Sequence, residues 1–193
     1  NAITAPVDAI VQDTQTKEQS SIQVQPLINY NIMVFDQTFG NNSSVSFINT
    51  NVLRTGSAYD ANVSSALFNL NNKKNTYNFS GKLALSFFNG NEIDKDRKMG
   101  YSQSLSIGRT SGKINWNIYH ELVDDKFNSN DLGYFTNNNY MDHGIWVGTR
   151  WMKPTKIYNQ LRLNLNVFAS HLYKPIVNNV SRLQGGEINV NAN

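Results

Sequence analysis

Two acidic side chains, Glu121 and Asp142, are the groups best suited to acid–base chemistry, and each lies next to a histidine in the sequence. Adjacent residues of a strand point to opposite faces, so neither carboxylate can work with its neighbouring histidine. Both carboxylates are expected to face inward near one end of neighbouring strands, either as general acid and base or as part of a polar charge network. We favour the charge network, because no nucleophile elbow is present and the histidines lack metal-ligand spacing. The chain is therefore predicted not to be an enzyme and to use no cofactor.

Oxygen-bearing side chains also crowd the segment from Asp124 to Gly133. They are Asp124, Asp125, Asn128, Asn130 and Asp131. Calcium takes about six to eight such oxygens, but the spacing of the common calcium-binding loop is missing here. Asx-turns and caps that shape a long loop account for these residues better. No metal site is predicted.

Strands must position these side chains, because eight strand-like stretches run through the chain and are joined by connectors that alternate between short and long. The predicted strands are Leu27–Gln37, Ser43–Arg54, Ala61–Leu70, Thr76–Phe88, Tyr101–Arg109, Ile114–Val123, Tyr140–Trp151 and Ile157–Ser170. The short connectors are Phe39–Ser43, Asn71–Asn75, Thr110–Lys113 and Lys153–Lys156, and the long ones are Thr55–Asp60, Asn89–Gly100, Asp124–Asn139 and Lys174–Gly186. In an up-and-down antiparallel sheet, every second connector lies at the same end. One tight end and one elaborated end are typical of outer-membrane barrels.

The strands alternate between apolar and polar residues, most clearly in Thr76–Phe88. Phe79, Leu83 and Leu85 fall on one face of that strand, and Lys82 falls on the other. A tilted strand that crosses a membrane takes about 9–11 residues, which suits the lengths here. We predict that the apolar faces meet lipid and that the polar faces line a wet interior.

Nine polar residues are predicted to face this interior. They are Lys82, Asn115, Asn117, Glu121, Asp142, Arg150, Arg162, Asn164 and Asn166. A lysine or arginine on the lipid face at mid-membrane costs about 2–4 kcal/mol, and Lys82, Arg150 and Arg162 all avoid that face. Amides and tryptophans facing the interior could also bind sugars.

The first strand and the aromatic residues add detail to the predicted faces. Ile28, Tyr30, Ile32 and Val34 are predicted to share the apolar face of Leu27–Gln37, with Met33 and Phe35 intruding on the other face. Aromatic residues gather near the strand ends, as in the two interfacial girdles of membrane barrels. Phe39, Tyr77, Trp116, Trp151 and Tyr158 lie toward the short connectors, and Phe87, Tyr101, Tyr140 and Tyr173 toward the long ones.

The composition restricts the class of protein. The 193 residues include 30 Asn and no Cys, and the formal net charge is +3. No run of about 18 apolar residues exists, which excludes transmembrane helices. The basic residues are too scattered for a nucleic-acid interface, so nucleic acid is not a predicted partner. The predicted location is the outer membrane of a Gram-negative bacterium, in contact with its lipid.

A soluble β-sandwich is the alternative fold, since its strands also alternate between apolar and polar residues. Sandwich strands are shorter, with turn signals about every 8–12 residues. Soluble sheets also have no reason to keep connectors that alternate in length. The membrane barrel is therefore the preferred fold.

Both ends of the chain are predicted to be partial strands. Residues Glu187–Asn193 alternate like the start of a strand, and Asn1–Ala5 like the end of one. Residues 1–193 are thus predicted to be a segment of a single outer-membrane β-barrel domain. The predicted fold class is all-β, an antiparallel up-and-down transmembrane β-barrel in which about eight complete strands and two partial ones form an open arc of a larger barrel.

Two stretches carry a resemblance to a known family: Pro26–Arg54 with the following GSAYDANV, and Asn130–Tyr140 followed by a strand and the turn Trp151–Pro154. They resemble the C-terminal barrel domain of a large family from Bacteroidota, in which a carbohydrate-binding domain of the family-9 type precedes a barrel of unknown function. The resemblance covers nearly the whole chain and implies a middle portion of that barrel. It also implies an outer-membrane location, and it brings no catalytic motif.

Three functions are compatible with these observations. The preferred one is an outer-membrane channel or transporter for a polar solute such as an oligosaccharide. The second is a structural or docking subunit that holds other outer-membrane proteins or lipoproteins through its long connectors or its wall. The third is an enzyme with a site between the long connectors, which clustering of Glu121, Asp142 and Asp124 around a pocket would favour.

Overall fold

The computed structural model describes residues 1–40, 42–90, 99–131, 133, 135–156, 158 and 160–175, and the backbone of 183–192. The strands within these residues are β1 (Ala2–Thr4), β2 (Val7–Gln12), β3 (Gln19–Gln25), β4 (Ile28–Phe39), β5 (Ser43–Arg54), β6 (Asp60–Asn71), β7 (Tyr77–Asn89), β8 (Met99–Arg109), β9 (Ile114–Val123), β10 (Tyr140–Trp151), β11 (Leu161–Leu172) and β12 (Leu183–Ala192). Across the described part of the chain there is no helix long and apolar enough to cross a membrane.

Ten of these strands form one antiparallel up-and-down sheet. Their order is β1-β4-β5-β6-β7-β8-β9-β10-β11-β12, and the first and last strands do not pair with each other. β1 pairs with only three residues of β4, Ile28 to Tyr30, so one edge of β4 beyond Tyr30 has no partner strand among the described residues. The predicted all-β antiparallel sheet is confirmed, in the form of an open arc.

The predicted strand boundaries agree closely with the structure. Ser43–Arg54, Ile114–Val123 and Tyr140–Trp151 have the bounds that the sequence predicted. Two strands differ from the prediction. β12 begins at Leu183 rather than at the predicted Glu187. β11 begins at Leu161 rather than at residue 157, which lies outside the described residues. A turn precedes β11 and accounts for its later start, since the Thr155 amide donates to the Tyr158 carbonyl at 2.7 Å. Residues 91–98 and 176–182, which make up most of the predicted connectors Asn89–Gly100 and Lys174–Gly186, also lie outside the described residues.

A two-stranded hairpin, β2–β3, was not predicted from the sequence. It lies between β1 and β4, which are antiparallel neighbours, so it belongs to a further long connector at the same end of the sheet as the others. Its turn is shaped by Asp13, whose carboxylate accepts the Gln15 and Thr16 amides at 2.7 and 2.8 Å. These backbone hydrogen bonds lower the pKa of Asp13. The hairpin therefore extends the alternation of short and long connectors to the start of the chain.

The cross-strand register gives the sheet one apolar face and one polar face. An apolar row crosses six strands through Leu70, Phe79, Ile107, Ile118, Ile145 and Val167. The side chains of this row are 36% to 47% exposed, so the apolar face is not a packed core. The parallel row on the polar face is Leu67, Lys82, Ser104, Glu121, Asp142 and Ser170. The two faces of the sheet therefore differ in polarity across these six strands.

The faces of β4 differ from the prediction. Phe35 pairs with Phe47, which belongs to the apolar face, so Phe35 and Met33 lie on that face. Ile28, Tyr30, Ile32 and Val34 lie on the polar face instead. The reason is local packing, because Ile28 and Tyr30 form a cluster with Val52, Ala61, Tyr59 and Phe88 at the end of the sheet that carries the long connectors. We call this end the long-connector end.

Candidate functional site on the polar face

The register places all nine residues predicted to face an interior on the polar face. Lys82, Ser104, Glu121 and Asp142 share one cross-strand row, and Arg150 is opposite Arg162 near the short connectors. Asn115 and Asn164 flank Gly148, and Asn117 and Asn166 flank Trp146. That this face lines a lumen remains a prediction.

Glu121 and Asp142 are direct cross-strand partners on β9 and β10. Directly opposed side chains have Cβ atoms about 4.5–5.5 Å apart, so the two carboxylates are close neighbours. Oδ1 of Asp142 is buried, and no described residue donates a hydrogen bond to it. Asp142 therefore keeps an acceptor that the described residues leave free.

Two cavities lie on the polar face, on either side of this carboxylate pair. The larger has a volume of about 720 Å³, and its polar lining includes Asn78, Lys82, Ser104, Tyr119 and Glu121. The second has a volume of about 520 Å³ and is lined by Phe135, Thr136, Asn137, Asn138, Tyr140, Asp142 and Ser170. Both volumes fall in the range of small-molecule sites.

The long connector Asp124–Asn139, which we call the inward loop, folds over the polar face. The Phe127 side chain is buried against Ala84 and Val123. The Asn128 amide donates to Oγ of Ser86 at 3.2 Å. A Cβ atom on Gly100 would collide with the backbone of Phe127, so this strand must carry glycine where the loop crosses it.

The far end of the inward loop is tied to β5. Asp131 forms an ion pair with Arg54, and the side chains of the two residues are only 10% and 14% exposed. The Tyr59 hydroxyl donates to the same carboxylate at 3.1 Å, and the Arg54 guanidinium lies 4.5 Å from the Tyr59 ring centre. Burial and the Asp131 charge raise the pKa of Tyr59. The loop therefore crosses the polar face from β9 to β5.

The near end of the loop is held by Lys174. Its ammonium lies 2.9 Å from Asp124 and 2.8 Å from Asp125. The Lys174 amide and carbonyl also bond to the Asn139 side chain, each at 2.8 Å. Hydrogen bonds to Asp124 and Asp125 raise the pKa of Lys174. A hydrogen bond with Asp124 and the Lys174 ammonium lower the pKa of Asp125.

Asparagine side chains shape the loop between these two anchors. The Asn128 carboxamide accepts the Asn130 amide at 2.9 Å, and the Asn130 carboxamide accepts the Phe135 amide at the same distance. The oxygen-bearing residues of this segment thus serve in ion pairs and Asx-turns. Within the described ranges, no three His, Asp or Glu side chains gather in a way that could hold a metal ion.

Several contacts on the polar face were not predicted from the sequence. The Tyr119 ring occupies the space where a Cβ atom of Gly144 would lie, and the Trp146 ring does the same at Gly148. Tyr140 packs against the cluster beneath the inward loop, so it is not in an interfacial girdle as predicted. Gly144 and Gly148 could have indicated these contacts in the sequence, since a glycine within a strand often marks a site where another group approaches the backbone closely.

The histidines meet on the apolar face, although their spacing in the sequence gave no sign of it. Nδ1 atoms of His120 and His143 are 3.2 Å apart, and the two rings stack with centres 4.8 Å apart. His171 meets His143 edge to face at 5.9 Å between ring centres. Their common parity on β9, β10 and β11 brings them together only once the register is fixed.

Comparison with known proteins gives a family for the chain and no function. Residues 1–193 match the family described as a domain of unknown function, DUF5916. No curated protein and no solved structure gives a significant match. Because the match extends over the full sequence, the chain belongs to the DUF5916 family.

Proposed function

We propose that the chain is part of the wall of an outer-membrane β-barrel that passes a polar solute. The observation that carries this proposal is the distribution of side chains on the sheet. Apolar residues from Leu70 to Val167 form an exposed row, while carboxylates, amides and lysine occupy the other face. Such a sheet is stable where lipid covers the apolar face and water meets the polar face.

The inward loop supports a passage with a narrowed section. It crosses the polar face at the long-connector end and is anchored at Arg54 and at Lys174. In a closed barrel this loop would restrict the opening on one side. The two cavities next to Glu121 and Asp142 would then lie along the route of the solute.

The location in the outer membrane of a Gram-negative bacterium, within Bacteroidota, is part of the same proposal. It is supported by the resemblance noted in the sequence and by the alternation of connector lengths, which the hairpin β2–β3 extends. The predicted surroundings are outer-membrane lipid on the apolar face and, around the long connectors, other outer-membrane proteins or lipoproteins.

Single-channel recording tests the proposal. The full-length protein is extracted in detergent and reconstituted into a planar bilayer. Stable, step-like openings are expected. A protein that inserts but stays silent would contradict a channel, and one that fails to insert would contradict a membrane barrel.

A docking subunit is the second candidate, and the hairpin β2–β3 favours it. Ile10, Ile22 and Val24 are 76%, 47% and 56% exposed on this hairpin. An isolated two-stranded hairpin is marginally stable in water, so a partner would stabilise it. A photo-crosslinker at Ile22 in intact cells should capture one defined outer-membrane protein or lipoprotein. The same crosslinker at Asn72, in a short connector at the other end of the sheet, should not capture that protein. Docking through the hairpin would be rejected if both sites captured it equally or if neither site captured any protein.

A further inference from the structure

Two aromatic rings of the polar face lean over glycine residues of β10. Strand side chains normally stand roughly perpendicular to the sheet. The Tyr119 ring instead covers Gly144, and the Trp146 ring covers Gly148. Both side chains remain partly exposed. Each ring therefore packs against the strand backbone at a glycine and keeps part of its surface exposed.

A purely structural role explains only part of this arrangement. An aromatic side chain that covers a glycine stabilises a sheet. That role does not require hydrogen-bonding groups around the rings. Tyr119 borders the larger cavity together with Glu121, Lys82 and Asn78. Trp146 lies between two amides in its cross-strand row, Asn117 and Asn166.

Asp142 provides a further hydrogen-bond acceptor on the polar face, on the same strand as Trp146. Its Oδ1 is buried without a hydrogen-bond partner in the part of the chain that the structure describes, and the residue lines the second cavity with Tyr140 and Ser170. An ionised carboxylate accepts hydrogen bonds at both oxygens. A ligand hydroxyl reaching Asp142 would satisfy an atom that otherwise lowers stability.

We propose that this strip of the polar face binds a neutral oligosaccharide. The apolar C–H face of a sugar ring packs on an aromatic ring, and its hydroxyls exchange hydrogen bonds with carboxylates and carboxamides. Glu121 and Asp142 disfavour acidic sugars through repulsion of like charges. Gly144 and Gly148 are four residues apart on one strand, or about 13 Å, so the two rings suit a short chain of sugars better than one sugar. The inference rests on the proposed function, because it names the polar solute.

Calorimetric titration of the full-length protein in detergent tests the inference. The probes are hexasaccharides of α-linked glucose, β-linked glucose, xylose and mannose. Spermidine is the cationic comparison, and a galacturonic acid oligomer is the acidic one. Trp146→Ala removes one platform and Tyr119→Ala the other, while Trp116→Ala is the matched control because Trp116 lies on the apolar face.

Saturable binding of at least one neutral hexasaccharide is expected. Trp146→Ala and Tyr119→Ala should each weaken it about tenfold, which corresponds to the loss of one aromatic contact. Trp146→Phe should restore most of the affinity, because phenylalanine keeps an aromatic ring at this position. Trp116→Ala should leave the affinity within about twofold.

Three results would overturn the inference. The first is that no neutral hexasaccharide shows saturable binding. The second is that Trp116→Ala weakens sugar binding as much as Trp146→Ala does. The third is that the protein binds only spermidine and that this binding disappears in Asp142→Asn. Since binding in detergent needs no conduction, sugar binding by a silent protein would reject the channel and keep the site. Openings without sugar binding would keep the channel and reject the site.

Discussion

The ion pair between Arg54 and Asp131 should control how tightly the inward loop lies on the polar face. The perturbation is Asp131→Asn, which keeps the shape of the side chain and removes its charge. The partners are only 10% and 14% exposed, so the Arg54 charge would be left in a largely buried setting. Removing one partner of a buried pair costs about 3–5 kcal/mol. We take the lower end, about 3 kcal/mol, because the pair retains some exposure.

A loss of about 3 kcal/mol corresponds to a roughly 100-fold increase in the population of the opened loop, since each 1.4 kcal/mol is tenfold. Hydrogen exchange measures this population directly. The Asn128 amide is protected by its bond to Ser86, so its exchange in the detergent-solubilised full-length protein should accelerate about 100-fold. Mass spectrometry of the peptide covering 124–131 gives the rate.

Two further variants make the measurement decisive. Asp36→Asn removes the same charge from the polar face but at a site bonded to Ser46, away from the loop, and should leave exchange unchanged. Replacing the pair with Arg54→Met and Asp131→Leu should recover protection, because apolar residues can substitute for a buried ion pair. Exchange within twofold of the parent protein in Asp131→Asn would refute the tether.

Two other predictions concern the faces and the loop. Ile118→Arg should lower the stability of the protein in lipid vesicles by about 2–4 kcal/mol, measured by denaturant unfolding. Asn117→Arg, on the other face, should not lower it. Equal losses of stability in the two variants would contradict the assignment of the apolar face to lipid. The pKa of Asp125 lies below its ordinary value of 3.8, so its contribution to holding the loop is present above that pH and is lost as the pH falls below it. Hydrogen exchange of the loop amides, corrected for intrinsic rates, should therefore accelerate in acid. Asp125→Asn should remove this dependence on pH. Loop exchange that accelerates, after the same correction, as the pH rises from 6 to 8 would contradict the prediction.

The sheet could be predicted from the sequence because its information is local. Alternation within Thr76–Phe88 fixes which residues share a face, and turn residues fix where each strand ends. Parity is enough to assign Lys82, Glu121 and Asp142 to the polar face, and the register then places them in one row. β4 was assigned wrongly because both of its faces carry apolar residues, and only its pairing with β5 decides between them.

The path of the inward loop could not be predicted, because it depends on contacts between residues far apart in sequence. Gly100, Ser86 and Ala84 make room for Phe127, but their small size gains a meaning only when the register brings them side by side. The Arg54–Asp131 pair joins residues 77 positions apart. No local pattern marks such a pair.

The order of strands in the sheet has a consequence for how the chain folds. From β4 to β12, every hydrogen-bonded neighbour is also the next strand in sequence. The entropy lost on closing a loop grows with its length, so these short closures cost less than the distant pairings of a Greek key would. Folding can therefore start at any one hairpin and extend in either direction by adding single strands, as expected for chains of low contact order. The slowest closure should be that of β1 onto β4, since it must span the whole hairpin β2–β3 for only three paired residues.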